Sequence, residues 1–231
     1  MIWHSGGHDG GTDESKRLQQ ATSDWFDKYL KKRAVNFPAF QVTNTNGSIS
    51  LIDSSVISKL LKSETLPLEP ATHAIPITTP FTALIAPIGG IPGAISSLPG
   101  VGSALALAGN IGGISAAFLP GQSGFLETDP LEHPLSIVGP SQVTVKVSSN
   151  KPDATLFFSL VVRTASGQTK LPNGIVAPVH LTHMEKAGSL FTIQLPAVVL
   201  DAAVGDKLAV AISTTDQGYA LPADGRLYTV S

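Results

Sequence analysis

The strongest constraint on the fold is a series of short strand-like segments that occupies the chain after Pro130. Val143, Val145 and Val147 alternate with polar residues, whereas residues 156–162 form an almost continuous apolar run. Alternation with a period of two is typical of a strand with one buried face, and a short continuous run is typical of a strand buried on both faces. Further segments of this kind lie at 175–181, 191–195, 208–212 and 227–230. Several short strands at this spacing predict a β-sandwich or jelly roll.

A second feature is the complete absence of Asp, Glu, Lys and Arg from residues 70–126. Charged residues make up only 14% of the chain, below the usual quarter of a globular domain, and the deficit is concentrated in this segment. A membrane-spanning helix needs about 20 uninterrupted apolar residues, but Pro99, Gly100 and Asn110 interrupt the segment. We therefore expect a buried insert that packs on a neighbouring domain. A substrate-facing lid or a patch at a membrane interface is the alternative.

The residues after Asp13 predict an amphipathic helix. Apolar residues recur there at intervals of three and four, which places them on one helical face; they are Leu18, Ala21, Trp25, Tyr29 and Leu30. Thr12 or Asp13 is the expected N-cap, and Pro38 forces the chain to leave the helix direction. Basic residues at 28 and 31–33 lie where cations favour the helix dipole.

The next segment, from Pro38 to Lys62, predicts a hairpin. Its strands contain Phe40 and Leu51, on either side of an Asn44-Thr45-Asn46-Gly47 turn. Residues 56–61 are compatible with a short helix or strand. We expect this segment to connect two domains.

His8 is the candidate catalytic residue. It lies in the glycine-rich run 6–11, between a short strand at Ile2-Trp3 and the predicted helix. Glycines allow a tight turn that leaves a side chain uncovered, and an imidazole so placed can act as a general base for a serine hydroxyl. The alternative is a histidine that only caps the helix. His4 is the rival for the catalytic role, and we expect Asp9 to orient the loop.

Metal and cofactor sites are not predicted. His4, His8, Asp9 and Asp13 are ligand types close together in sequence, but the two histidines are separated by Ser-Gly-Gly, which is not helical. No phosphate-binding or dinucleotide-binding glycine pattern occurs. Four further histidines are expected to be structural or exposed, namely His73, His133, His180 and His183.

Composition excludes several other classes of function. The net charge of −2 argues against a nucleic-acid partner. The absence of cysteine excludes disulfides and thiolate chemistry. The first residues lack the basic segment and apolar run of a signal peptide, and the sequence does not indicate a compartment. A chain of 231 residues is long enough for one domain or two.

The stretch Trp3 to Tyr29 resembles the histidine loop and last helix of acyl hydrolases of the Xaa-Pro dipeptidyl-peptidase and cocaine-esterase type. Those enzymes often have a Gly-Gly-His or Trp-x-His loop and a helix with an aromatic-Asp-x-aromatic-Leu ending, which here is residues 26–30. They also carry a C-terminal jelly-roll domain, which residues 134–139, 153–158 and 205–213 resemble. Two departures are the missing Gly-x-Ser-x-Gly nucleophile elbow and the uncharged segment. The nearest match to the elbow, residues 121–124, is one residue short and is predicted to be a turn.

The resemblance implies a mostly β chain: a C-terminal jelly-roll β-sandwich preceded by the last helix of an α/β-hydrolase domain and an apolar Gly/Pro-rich insert. The four expected segments are 1–37 (hydrolase end), 38–69 (connection), 70–126 (insert) and 127–231 (jelly roll). The triad order of that fold is Ser, then Asp or Glu, then His, so the resemblance implies that the nucleophile and the acid lie on an upstream α/β-hydrolase segment.

Two functions follow as hypotheses. In the first, the chain is the C-terminal portion of a serine hydrolase and supplies His8 together with a jelly roll that shapes the pocket for a small ester or peptide substrate. In the second, it is a non-catalytic β-sandwich module that binds a carbohydrate, a partner domain or a membrane surface. Esterase and prolyl-peptidase activity stay open as alternatives within the first hypothesis.

Overall fold

The computed structural model describes residues 1–5, 13–44, 47–52, 64–68, 73–76, 118, 123–172, 175–216, 219 and 225–231. The chain divides into two compact units, Met1–Thr65 and Leu66–Ser231. Strands dominate the described residues, which contain a single α-helix. The predicted mostly β class is confirmed. No helix among these residues is long and apolar enough to cross a membrane.

The first unit is a small sheet with one helix. Its elements are β1 (Ile2–Trp3), α1 (Ser15–Tyr29), β2 (Phe40–Thr43) and β3 (Ile49–Ile52). The sheet order is β1-β2-β3, with β1 parallel to β2 and β2 antiparallel to β3. The predicted helix and hairpin are thus confirmed. The predicted element at 56–61 lies outside the described residues.

The hairpin turn depends on Gly47. Its φ of +81° is in the left-handed region that favours glycine, and its N–H donates to the carbonyl of Asn44. The N–H of Asn44 donates in turn to the carbonyl of Ser48. Thr45 and Asn46 lie outside the described residues.

The predicted N-cap of the helix is wrong. Glu14 occupies the cap position, without a side-chain capping bond, and the helix begins at Ser15. Asp13 lies one residue earlier, where its Oδ1 accepts hydrogen bonds from the N–H (2.9 Å) and the hydroxyl (2.5 Å) of Ser15. Asp13 therefore accepts hydrogen bonds from the first residue of the helix but does not occupy the cap position. Thr12 lies outside the described residues.

The second unit consists of strands. They are β4 (His73–Pro76), β5 (Ser123–Glu127), β6 (Leu135–Gly139), β7 (Gln142–Ser149), β8 (Ala154–Arg163), β9 (Thr169–Lys170), β10 (Ala177–Leu181), β11 (Ser189–Gln194), β12 (Val198–Ala202), β13 (Lys207–Ser213) and β14 (Leu227–Val230). One sheet has the order β10-β8-β13-β5, with β9 paired to β8, and a second has the order β11-β7-β14-β4. A two-stranded sheet pairs β12 with β6.

One apolar core joins the two large sheets. Val145 and Val147 of β7 are fully buried and belong to the same cluster as Leu156 and Phe158 of β8. Tyr228 of β14 is 1% exposed and lies in this cluster too. The alternating residues of β7 and the inward residues of β8 thus face one interior, which is the arrangement of a β-sandwich.

The five-stranded sheet is also buried on its second face. Val161 of β8 and Ala209 and Ala211 of β13 form a separate cluster with Phe118 and Leu171. This explains why residues 156–162 are apolar without alternation, as the sequence predicts. Phe118 belongs to the predicted insert, so the insert contributes at least this ring to the sandwich.

Some strands were not predicted from the sequence. Ser123 and Gly124, predicted to be part of a turn, instead begin β5, where they pair with Ser213 and Ile212 of β13. A glycine inside a strand reads as a turn or bulge, which is the reason for the error. β9 has only two residues. Burial alternates along β12, but Val198, Val199 and Leu200 are all apolar, so the sequence does not show this alternation.

Candidate functional site

The segment predicted to carry the catalytic base, residues 6–12, follows β1 and precedes α1 in the sequence. His8 and Asp9 fall within residues 6–12, outside the described residues. His4, the rival base, is exposed directly after β1. The structure therefore describes only the residues that flank the segment with His8, namely Ser5 before it and Asp13 after it.

β1 has a well-defined place in its sheet. Ile2 and Trp3 pair with Gln41 and Val42 of the neighbouring strand β2, and Val42 is 1% exposed. The Trp3 ring meets the Phe40 ring edge-to-face at 5.4 Å between centroids. Parallel pairing and an aromatic contact thus fix the residue that precedes His4.

Glu14 is the centre of a hydrogen-bond cluster that the sequence does not indicate. Its Oε1 accepts from the N–H of Ser5 at 2.9 Å and from the Ser5 hydroxyl at 3.1 Å. Its Oε2 accepts from Nε of Arg17 at 2.8 Å and from the hydroxyl of Thr43 at 2.9 Å. The Glu14 side chain is only 8% exposed. It joins the end of β1, the start of α1 and β2.

Arg17 extends this cluster along β2. Its Nη1 donates to Oε1 of Gln41 at 2.9 Å and its Nη2 to the hydroxyl of Thr43 at 3.2 Å. Gln41 and Thr43 are both buried. A planar guanidinium with several donors in fixed directions suits this bridging role.

Opposing effects act on the pKa of Glu14. Burial raises the pKa, but the hydrogen bonds from Ser5, Arg17 and Thr43 together outweigh it and lower the pKa to about 2. The hydrogen bonds from the hydroxyl and the N–H of Ser15 likewise lower the pKa of Asp13. Both carboxylates beside the candidate loop are therefore ionised at neutral pH.

The aromatic face of α1 is exposed. Trp25 is 44% and Tyr29 48% exposed, with 5.2 Å between their ring centroids. They border an open groove of about 770 Å³ beside the helix, whose lining also includes Ile2, Ala21 and Phe37. Of the predicted apolar face, only Ala21 is buried.

His180 and His183 of the second unit make surface contacts with threonine hydroxyls. His180 of β10 lies 3.0 Å from the Thr155 hydroxyl through its Nδ1, and His183 makes a similar contact with Thr182. His133 is exposed in a loop. Within the described residues, no three His, Asp or Glu side chains form a group that could hold a metal ion.

Polar contacts of Arg226 and Tyr228 with Asp153 and Thr155, here called the polar lock, link β14 to β8. Arg226 donates to the carboxylate of Asp153 at 2.5 Å and to its backbone carbonyl at 3.0 Å. The buried hydroxyl of Tyr228 accepts the N–H of Thr155 at 3.2 Å, and burial raises the Tyr228 pKa. These contacts fasten β14 to β8 and are structural.

The fold defines a β-sandwich protein with a separate unit in which a helix connects two parallel strands. Residues 120–229 match the family model described as the X-Pro dipeptidyl-peptidase C-terminal non-catalytic domain. No curated protein matches the chain.

Solved hydrolase structures share the fold. An α-amino acid ester hydrolase is 15% identical with a TM-score of 0.60, and covers 96% of this chain and 44% of its own. An aminopeptidase from a marine sediment archaeon, Thaumarchaeota archaeon, is 13% identical with a TM-score of 0.57, over 95% of this chain and 43% of its own. A CocE/NonD family hydrolase from Staphylococcus aureus is 11% identical with a TM-score of 0.54, over 94% and 44%.

Residues 120–229 therefore match a C-terminal domain of the X-Pro dipeptidyl-peptidase type, and the resemblance to the C-terminal part of Xaa-Pro dipeptidyl-peptidases and CocE-like hydrolases is confirmed. The chain spans less than half the length of each of these solved structures.

Proposed function

We propose that the chain is the C-terminal portion of a serine hydrolase, of the acyl esterase or Xaa-Pro dipeptidyl-peptidase type, in which His8 is the general base. The serine nucleophile and the acid lie on an upstream α/β-hydrolase segment, which is the partner of this chain. The substrate is a small ester or a peptide.

The observation that carries the proposal is the position of the described residues on either side of 6–12. Ser5 follows the carboxyl end of β1, and Asp13 precedes α1, which connects β1 to the parallel strand β2. Parallel strands joined by a helix are the unit of α/β sheets, and binding and catalytic residues gather at the carboxyl ends of such strands. A glycine-rich segment with His8 at this place suits a catalytic loop.

The same proposal assigns the domains. Residues 1–37 are the end of the hydrolase domain, 38–69 the connection, 70–126 an insert and 127–231 a jelly roll that shapes the substrate pocket. The groove beside Trp25 and Tyr29 is the surface of α1 that the upstream segment covers, because exposed aromatic side chains on a helix are typical of an interface.

The test is His8→Ala in the hydrolase that contains this chain, assayed with a nitrophenyl ester and an Xaa-Pro anilide. We expect kcat to fall by more than about 10³-fold on the preferred substrate, as for other members of a catalytic triad. His183→Ala is the matched control, since that histidine lies in an exposed loop. Loss of turnover in His4→Ala with normal turnover in His8→Ala would transfer the role to His4.

The alternative is a non-catalytic β-sandwich module that binds a carbohydrate, a partner domain or a membrane surface. Residues 120–229 match a family that is described as a non-catalytic domain, which favours this alternative. It predicts that neither His8→Ala nor His4→Ala changes the activity of the parent protein. Full turnover in both variants would replace the first proposal with this one.

A further inference from the structure

Four consecutive polar residues at the end of β13 are buried. Ser213, Thr214, Thr215 and Asp216 are 6%, 1%, 1% and 2% exposed, although they directly follow the apolar residues 208–212. Burial of a hydroxyl or a carboxylate is unfavourable unless the group is hydrogen-bonded. Each polar side chain at this end of the strand therefore needs a partner.

The hydroxyl of Thr215 stands out among these groups. Within the described part of the chain, its Oγ1 is the only buried side-chain oxygen or nitrogen that makes no hydrogen bond to the protein. Folded proteins leave few buried polar atoms unpaired, and an internal water is a usual partner where the protein supplies none. We propose that Oγ1 of Thr215 binds an internal water molecule at this end of the sandwich.

The strand pairing places this water where β13 separates from β8. The two strands are paired as far as Ser213, which lies opposite Phe157. The same register would set Thr215 opposite Thr155, but the pairing ends before these residues. Where two paired strands separate, polar groups lose the partners that the ladder supplies, and a bridging water replaces such a hydrogen bond at little cost.

A turn after Asp216 folds back over this end of β13. The N–H of Tyr219 donates to the carbonyl of Asp216 at 3.1 Å. The Tyr219 ring packs on the ring of Phe157, with 5.3 Å between the centroids. Phe157 is the residue paired with Ser213, so the ring covers the strand position next to the proposed water. A water enclosed in this way is costly to remove.

The proposal fixes the sign of a change in stability. Thr215→Val keeps the branched shape of the side chain and removes only the hydroxyl. If the hydroxyl binds a water, the substitution deprives that water of a partner and lowers Tm. If the hydroxyl is buried without any partner, its removal relieves a desolvation cost and raises Tm.

The test is made in the 231-residue chain with Thr215→Val and Thr215→Ser. Thr192→Val is the matched control, because Thr192 is an exposed threonine on the strand β11. Far-UV circular dichroism gives Tm. Magnetic relaxation dispersion of the water oxygen nucleus gives the number of long-lived internal waters.

We expect Thr215→Val to lower Tm by about 4 °C or more and to remove about one long-lived water. Thr215→Ser retains the hydroxyl and should retain this water. Thr192→Val should retain it too and change Tm by less than about 2 °C. An unchanged number of long-lived waters in Thr215→Val would overturn the proposal, and so would a rise in its Tm.

Discussion

At the scale of single residues, the two carboxylates near the ends of α1 show how environment decides the value of an ion pair. Asp27 is 24% exposed and pairs with Lys31 and Arg33, which are 58% and 63% exposed. Exposed pairs of this kind contribute about 0–1 kcal/mol. Glu14 is 8% exposed and accepts several hydrogen bonds besides those of Arg17, so its removal should have the larger effect.

Glu14→Gln should destabilise the first unit in a pH-dependent way. The folded pKa of about 2 is below the ordinary value of 4.5, so the stabilisation is complete above about pH 4.5 and disappears as the pH falls toward 2. At pH 7 we expect a loss of about 1–3 kcal/mol from hydrogen bonds to a charged group. Urea unfolding followed by tryptophan fluorescence measures it, because both tryptophans, Trp3 and Trp25, lie in this unit.

Asp27→Asn serves as the control for this measurement, with an expected loss below about 1 kcal/mol. The pKa of Asp13 is also lowered. Because Asp13 is present in every variant, its contribution to the pH dependence of stability cancels in the comparison. If the difference in the free energy of unfolding between wild type and Glu14→Gln were as large at pH 2 as at pH 7, the assignment of the low pKa to Glu14 would be contradicted.

Tyr228→Phe tests the polar lock of the sandwich. The substitution keeps the buried ring but removes the hydroxyl that accepts the Thr155 N–H. A backbone donor left without its partner costs about 1–3 kcal/mol. Urea unfolding followed by far-UV circular dichroism gives the loss. Tyr219→Phe is the control, because Tyr219 is 46% exposed; equal effects of the two substitutions would exclude a specific role of the Tyr228 hydroxyl.

At the scale of elements, β8 is the strand on which the second unit depends. It pairs with β10, β13 and β9 and is buried on both faces. One face contributes to the core between the sheets, and the other lies beneath Phe118. Phe118 and Leu171 belong to the cluster on this second face, so truncation of Phe118 tests its packing.

Phe118→Ala should destabilise the second unit by about 3 kcal/mol, the lower end of the range for removal of a buried ring. Phe118 is 7% exposed, and Val161, Ala209 and Ala211 would lose their cover. Leu190→Ala is the control, because Leu190 is 72% exposed on β11 and should change stability by less than about 0.5 kcal/mol. Far-UV circular dichroism during urea unfolding compares them, and a Phe118→Ala loss no larger than that of Leu190→Ala would contradict the packing.

The elements that could be predicted from the sequence are those with a clear local pattern of apolar residues. α1 follows from apolar spacing, β7 from alternation and β8 from its continuous run, since each pattern reflects one local geometry. β5 could not be found in this way, because Gly124 has no side chain to mark a face and its pairing partner, Ile212, is distant in sequence.

The Glu14 cluster was beyond sequence reasoning for a similar reason. An acidic residue before a helix is expected to favour the helix dipole, and nothing local distinguishes Glu14 from Asp13. Its partner Ser5 lies after β1, and its partner Thr43 ends β2 on the other side of the helix in sequence. Only the parallel pairing of β1 with β2 brings them together. The catalytic role of His8 stays a prediction.

At the scale of the whole molecule, the proposed function explains why α1 has aromatic side chains in solvent. Trp25 and Tyr29 lie beside an open groove, whereas the second unit has an apolar core of its own, in which residues such as Val145, Phe158 and Val230 are fully buried. In the proposed function, the upstream α/β-hydrolase segment covers this surface.

The proposal predicts that the native polypeptide in the source cells is far larger than 23.9 kDa and carries a reactive serine. An antibody raised against this chain would detect it, and a fluorophosphonate probe would label the same band, because the probe reacts with a serine activated by a neighbouring base. The label should be lost in His8→Ala and kept in His183→Ala. A band at 23.9 kDa without label would favour the binding module, because a chain without a nucleophile cannot complete the triad.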